Sequence, residues 1–302
     1  MGSEMCIRDR LDTGRKQGRD IMTWTPYLVS FKLRSPVHIG WKKIGNLQVT
    51  RPYITGKTLW GALTARLARD EGNSNYSEIG KQVDDELRFT YFYPSASPDK
   101  VNLWPWKEKN DFAWKFLGSY VSTAIEGDTA EEGSLHEVEY ISPTTREGNP
   151  VFLVGYVIEK KDCQLKWKEA LKQVQIGGER GYGWGRTELL SDPKPVEECF
   201  GYRIDNSEIS PMISIPKDNV ILAHAKTDLL KCKGAIEPFV GRETNDSDGV
   251  GGKIPHPIGG KIPHPITCYT PGSKVVADTT FVIQPKGVWE KTRGNSSGGS
   301  NP

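Results

Sequence analysis

The sequence predicts an α+β fold of order β-α-β-β-α-β, an antiparallel sheet with helices on one face. Three features carry that reading: an alternating strand in "TPYLVSFKLRS", a helix in "TGKTLWGALTARLARDEG", and a late helix that feeds a glycine-rich loop into a last strand. In the first, Tyr27, Val29, Phe31 and Leu33 alternate with Leu28, Ser30, Lys32 and Arg34, the period of a half-buried strand. A loop containing "SPVHIG" follows. In the helix, Leu59, Leu63 and Leu67 fall at i, i+4 and i+8 with Trp60 beside them; Thr55 suits the cap and Gly72 the stop. Strand-like runs come at "LRFTYFYP" (87–94), "HEVEYIS" (136–142) and "VFLVGYVIEK" (151–160). Then "CQLKWKEALKQVQ" reads as a short amphipathic helix and "GWGRTELL" as a strand. This is the split βαβ of a ferredoxin-like (RRM-like) fold with an inserted segment in its middle.

Composition sets the boundaries around that unit. Residues 1–21 have no apolar period and read as a disordered or non-native leader, "MCIRDR" looking like translated adapter sequence, with Met22 as the expected start. Residues 22–195 form the ferredoxin-like domain, with a polar, aromatic insert at about 95–135; 196–290 carry strand-like pieces such as "NVILAHA" and "TTFVIQP" and read as mainly β; 291–302 read as a flexible tail. At 36% apolar and 26% charged, the 302-residue chain has the balance of a soluble globular protein, with no apolar run of about 20 residues to cross a membrane and no secretory signal. Cys6, Cys163, Cys199, Cys232 and Cys268 are odd in number and form no CxxC pair, so neither a zinc site nor a disulfide framework is expected, and a cytoplasmic setting is. No cofactor or metal is expected. "GGKIPHPI" occurs twice in tandem over 251–266, too short for a solenoid, and His256 and His264 lack further metal ligands.

The net charge of +2 conceals an uneven distribution. From Ile21 to Arg69 there is no Asp or Glu, yet the span carries Lys32, Arg34, Lys42, Lys43, Arg51, Lys57, Arg66 and Arg69. Glu126 to Glu139 is the reverse, six acids without Lys or Arg. A basic segment in a near-neutral chain points to an anionic face, with nucleic acid the leading partner. Within it, Gly56-Lys57-Thr58 has the ending of an NTP-binding P-loop. The glycine that motif requires four residues earlier is replaced by Arg51, followed by Pro52, Tyr53 and Ile54, which offer a phosphate neither a full set of N–H groups nor close approach. Lys57 sits in a first helical turn, where anions are favoured over cations, which suggests that it serves a ligand.

The most specific stretch is "GGERGYGWGR", residues 177–186. It follows a helix and enters a strand, the reverse of a dinucleotide-binding fingerprint. Gly177, Gly178, Gly181 and Gly183 would admit a ligand close to backbone N–H groups; Arg180 and Arg186 would bond phosphate oxygens; Tyr182 and Trp184 offer faces for base stacking. Gly, Arg and aromatic residues together favour RNA. His38, Lys42, Lys43, Arg51, Lys57 and Arg66 complete the candidate RNA-binding set.

"SPVHIG", "RPYITGKTLWGALTARLAR" and "IGGERGYGWGRTEL", in that order, with the later "GAIEPFVGRE" and "CYTPGS", resemble the RAMP superfamily of CRISPR-associated proteins over most of Met22 to Pro285. The resemblance is nearest to the Cas-five type subunit of a type III (III-D-like) or type VII effector. It implies a non-catalytic subunit that holds the 5′ handle of the CRISPR RNA, caps the backbone filament, meets backbone RAMP subunits and approaches target RNA only indirectly. It also implies that Gly56 and Lys57 open a helix facing guide RNA, and that the insert is a thumb-like extension toward neighbouring subunits. Two alternatives stand beside it: a Cas-seven type backbone subunit lining the guide, and a Cas-six-like metal-independent endoribonuclease with His38 as general base and Lys42 or Lys57 at the phosphate.

Overall fold

The computed structural model describes residues 23–72, 75–101, 111–206, 209–240 and 265–292. The leader, the first copy of the octapeptide, both of its histidines and the tail from residue 293 lie outside them. The central sheet is built from β1 (Trp24–Leu33), β4 (Leu87–Phe89), β5 (Tyr93–Ser95), β10 (Phe152–Lys160) and β11 (Thr187–Leu189), with the short strand Lys194–Pro195 also pairing along β1. Its order is β11-β1-β10-β4, with β5 extending β4's place along β10. Every pairing is antiparallel, and Val29 lies opposite Gly155 and Phe31 opposite Leu153. First and third strands at the centre, second and fourth at the edges, is the arrangement of a split βαβ.

Helices α1 (Gly56–Asp70), α2 (Tyr76–Glu86) and α4 (Trp167–Leu171) cover one face. Val29, Phe31 and Leu33 pack there with Leu59, Leu63, Leu67, Ile79, Val83 and Trp167. Thr55 caps α1, its hydroxyl accepting from the Thr58 N–H at 3.2 Å, and the chain turns out at Gly72 with φ +64°. The opposite face meets the C-terminal region. There an eight-stranded sheet runs Glu198–Cys199, Tyr202–Asp205, Met212–Ile215, Thr279–Ile283, Trp289–Lys291, Ala225–Lys226, Ile266–Tyr269 and Ile236–Phe239, in that spatial order. Its Ile213, Ile215, Phe281 and Trp289, with Leu222 from the connection before Ala225, close on Trp24, Tyr53, Tyr91, Tyr93, Tyr156 and Ile158.

Several elements depart from the sequence reading. The strand expected over 87–94 is interrupted between β4 and β5: Thr90 exchanges bonds with Tyr156, and Phe92 leaves the ladder to pair with Ile54 at 2.8 and 3.0 Å. Gly155 makes that excursion possible, because a Cβ there would strike the Phe92 ring. The run at 136–142 does not join the central sheet. As β9 (His136–Ile141) it lies between β3 (Leu47–Thr50) and β6 (Leu117–Ser122) in a four-stranded sheet edged by β2 (Gly40–Ile44). β2 and β3 make a hairpin where only a loop was expected, turning at Gly45, whose φ is +58°. The expected helix at 163–175 shortens to α4, and α2 was not anticipated. The insert contributes α3 (Phe112–Phe116), β6, a small hairpin of β7 (Ile125–Glu126) and β8 (Thr129–Ala130), and most of the approach to β9; residues 102–110 lie outside the described residues. Among the described residues no helix is long and apolar enough to cross a membrane.

Candidate nucleic-acid interface

The acid-free opening and the glycine loop meet at one end of the central sheet. Leaving β1, the chain passes Ser35, Pro36 and His38. The glycine loop docks on that passage: Gly178 N–H bonds the His38 carbonyl at 2.9 Å, Gly185 N–H the Pro36 carbonyl at 2.7 Å, and Arg186 N–H the Ser35 hydroxyl at 2.8 Å. Arg34 N–H returns a bond to the Arg186 carbonyl at 2.9 Å. At Gly177 (φ +90°) and Gly185 (φ +82°) a side chain has no room, the first against His38, the second against Ile176. These two glycines therefore serve the protein's own packing. Gly181 has nothing within 4 Å of where a Cβ would stand.

This geometry changes the way the loop can meet a phosphate. The sequence suggested backbone N–H groups as the cradle. Instead Gly178, Tyr182, Gly183, Trp184, Gly185 and Arg186 direct their N–H groups to acceptors within the protein. Contacts to an anion fall to side chains. Arg180 donates from Nε to the Gly177 carbonyl at 3.0 Å, which fixes its stem. Partial desolvation, and then the like charge of Arg69 at the end of α1, push its guanidinium below the usual range. Arg186 is exposed.

His38 lies beneath the loop with 5% of its surface accessible. Its Nδ1 is 2.7 Å from the Glu139 carbonyl oxygen, which can only accept, so Nδ1 carries the proton and a neutral ring keeps Nε2 as an acceptor. His38 lines a shallow pocket with Gly40, Trp41, Lys42, Lys43, Gln48 and Val49. Lys42 lays its ammonium over the Trp41 ring at 4.3 Å. Beyond the pocket, Trp184 packs edge-on to Tyr140 at 5.1 Å and Tyr120 at 6.3 Å, whereas Tyr182 is 79% exposed. Of the two aromatics assigned to stacking, Tyr182 has its faces open and Trp184 is already partly packed.

Three expected site residues do not join this surface. Arg51 is buried, bonding Glu237 at 2.6 Å and the Tyr53 hydroxyl at 3.4 Å. Arg66 forms an ion pair with Asp70 one turn along α1. Lys57 stands at the opposite end of α1 from Arg69, about 18 Å away along the helix axis at 1.5 Å per residue. The start of that helix does not face outward either: Gly56 is buried, and a Cβ on it would collide with Lys286 and Gly287 of the 3-10 turn Pro285–Gly287. The glycine of the false P-loop thus admits a close backbone crossing. Arg69, Trp41, Tyr120 and Tyr140 are residues that sequence reasoning did not place at the site. Trp41, beside two lysines, carried a visible signal; the tyrosines of β6 and β9 had none without knowledge of their sheet.

The RAMP superfamily model matches residues 30–188. No curated protein matches. Solved structures similar to this chain include a chain of the type III-B Cmr-beta bound to cognate target RNA and AMPPnP, state 1, at 14% identity and TM-score 0.49, covering 82% of this chain and 85% of that one. Another, of type III-B Cmr-beta bound to cognate target RNA, has 12% identity and TM-score 0.38 over 54% of this chain and 96% of that one. A third, of type III-B Cmr-beta in the apo state, has 13% identity and TM-score 0.35 over 58% and 98%.

Proposed function

Because this chain belongs to the RAMP superfamily, we propose that it is a non-catalytic RNA-binding subunit of a CRISPR effector ribonucleoprotein, holding the 5′ handle of the CRISPR RNA at the end of a backbone filament. The single observation that supports the reading is the docking of the glycine loop on the His38 passage, which joins the loop carrying Arg180 and Arg186 to the residue that lines the Lys42–Lys43 pocket. Phosphates are held by these side chains and by Arg186, and a splayed handle base stacks on Tyr182. The ferredoxin-like sheet itself is unavailable, since both of its faces are covered. RNA therefore runs along the loop end of the sheet.

The test is binding of CRISPR repeat RNA by the wild type and by Arg180→Glu combined with Arg186→Glu. The double variant is expected to bind more weakly, with a salt slope smaller by about one for each phosphate it no longer holds. Equal affinity and slope would defeat the proposal. One observation favours the endoribonuclease alternative, the Nε2 acceptor of His38 beside Lys42. Metal-independent cutting of the same RNA by wild type, abolished in His38→Ala, would replace the non-catalytic reading with that one.

A further inference from the structure

Glu237 lies on the C-terminal strand Ile236–Phe239, yet its carboxylate gathers groups from both halves of the chain. Oε1 accepts from Arg51 at 2.6 Å and from His224 Nε2 at 2.6 Å; Oε2 accepts from the Trp41 indole N–H at 2.9 Å. His224 is fully buried, and because its Nε2 donates to a carboxylate, its Nδ1 receives the Tyr91 hydroxyl at 2.6 Å. The Trp41 indole, the His224 Nε2–H and the Tyr91 hydroxyl each meet an acceptor with the imidazole neutral. Arg51 follows β3 and Trp41 lies in β2, so Glu237 grips the β2–β3 hairpin at its root and along its flank. The hairpin otherwise exposes all of β2.

We infer that Glu237 is a positioning residue for RNA: by fixing Trp41 it sets the ring on which Lys42 rests, and so fixes the hairpin's lysines at the pocket beside His38. The inference rests on the RNA-binding reading above, and it makes the C-terminal sheet a structural partner of the interface without touching RNA itself. The hydrogen bond to Trp41 is exposed and separable from the buried Arg51–Glu237–His224 cluster. Trp41→Phe therefore removes the hairpin's flank anchor while keeping the Arg51 and His224 bonds to Oε1 and an aromatic ring near the Arg51 guanidinium, which lies 5.8 Å from the Trp41 ring.

The experiment compares wild type, Trp41→Phe and Glu237→Gln as full-length proteins, by amide hydrogen exchange over residues 40–50 and by affinity for CRISPR repeat RNA. Both variants are expected to exchange about tenfold faster in the hairpin than wild type, the change that corresponds to about 1.4 kcal/mol of local opening. The amides of β1 and β10 should hold their protection in Trp41→Phe. RNA affinity should fall about three- to tenfold in both, a range equivalent to about 0.7–1.4 kcal/mol. Glu237→Gln removes a negative charge, which by electrostatics alone would tighten RNA binding, so weaker binding there reports a displaced hairpin. Unchanged hairpin exchange would overturn the inference. Faster exchange with unchanged RNA affinity would overturn it too; if Arg180→Glu with Arg186→Glu still weakened binding, the RNA-binding reading would survive that failure.

Discussion

The two faces of the central sheet are closed by different chemistry. Toward the helices the packing is aliphatic and aromatic carbon: Val29, Phe31, Leu33, Leu63, Leu67 and Trp167, all essentially inaccessible. Toward the C-terminal sheet the buried side chains include Tyr53, Tyr91, Tyr93 and Tyr156, with His224 among them. Two of the tyrosine hydroxyls there have acceptors in the protein: Tyr91 bonds His224, and Tyr93 bonds the Leu222 carbonyl at 2.6 Å. The first face is held by volume and shape, which tolerate change in proportion to the cavity left. The second is held by polar atoms in low dielectric, where a missing partner leaves a desolvated group behind. The face of the sheet away from the helices is thus an internal joint.

The largest effect is expected on the aliphatic side. Phe31→Ala removes a fully buried ring and should cost about 3–5 kcal/mol in chemical denaturation; a loss below about 1 kcal/mol would mean that the helix face repacks freely. The polar side should reveal itself in pH. His224 is held below its ordinary value of 6.5, first by burial and also by the nearby Arg51 charge, while Glu237 opposes the shift. Its stabilising effect is present above pH 6.5 and is lost as pH falls below that value. Burial alone would raise Glu237, but bonds from His224, Arg51 and Trp41 outweigh it and pull the carboxyl from 4.5 to about 2. Its contribution is present above pH 4.5 and is lost as pH falls toward 2. Thermal melts should therefore fall in two acid windows, and His224→Gln should flatten the upper one. A melting profile that is level from pH 7 to pH 3 would contradict this. The smallest effect resolves the two faces atom by atom: Tyr93→Phe deletes one hydroxyl and should cost about 1–2 kcal/mol by denaturant titration, though no carbon is removed. No loss at all would show that the hydroxyl contributes nothing to the joint.

These differences track what could be read from residues alone. β1 and α1 were legible because one face of each is buried in a regular period, and Thr55 and Gly72 mark the ends of the helix. The β2–β3 hairpin was missed although Gly45 and Asn46 form a short turn signal, because all of β2 is exposed and lacks an apolar stripe. The break after β4 escaped notice since Thr90, Tyr91 and Phe92 continue an apolar run whose direction is set by Ile54, far earlier in the chain. At the site, composition drew attention to the glycine loop and to the acid-free span, while the division of labour among the cations needed coordinates. Arg51 finds Glu237 across 186 residues, a pairing no local pattern encodes. Similarly, which glycines face a ligand and which face the protein depends on neighbours such as His38 and Ile176.

The crossing of Gly56 and Gly287 has a consequence for synthesis. A ribosome delivers α1 and most of the central sheet long before the residues that lie against the start of that helix. Until Gly287 has emerged, the nascent amino-terminal half has a tyrosine-lined surface open to water and a helix start lacking its cover, so completing its fold waits on residues made long after it. Chaperone dependence in the cell should concentrate in that interval.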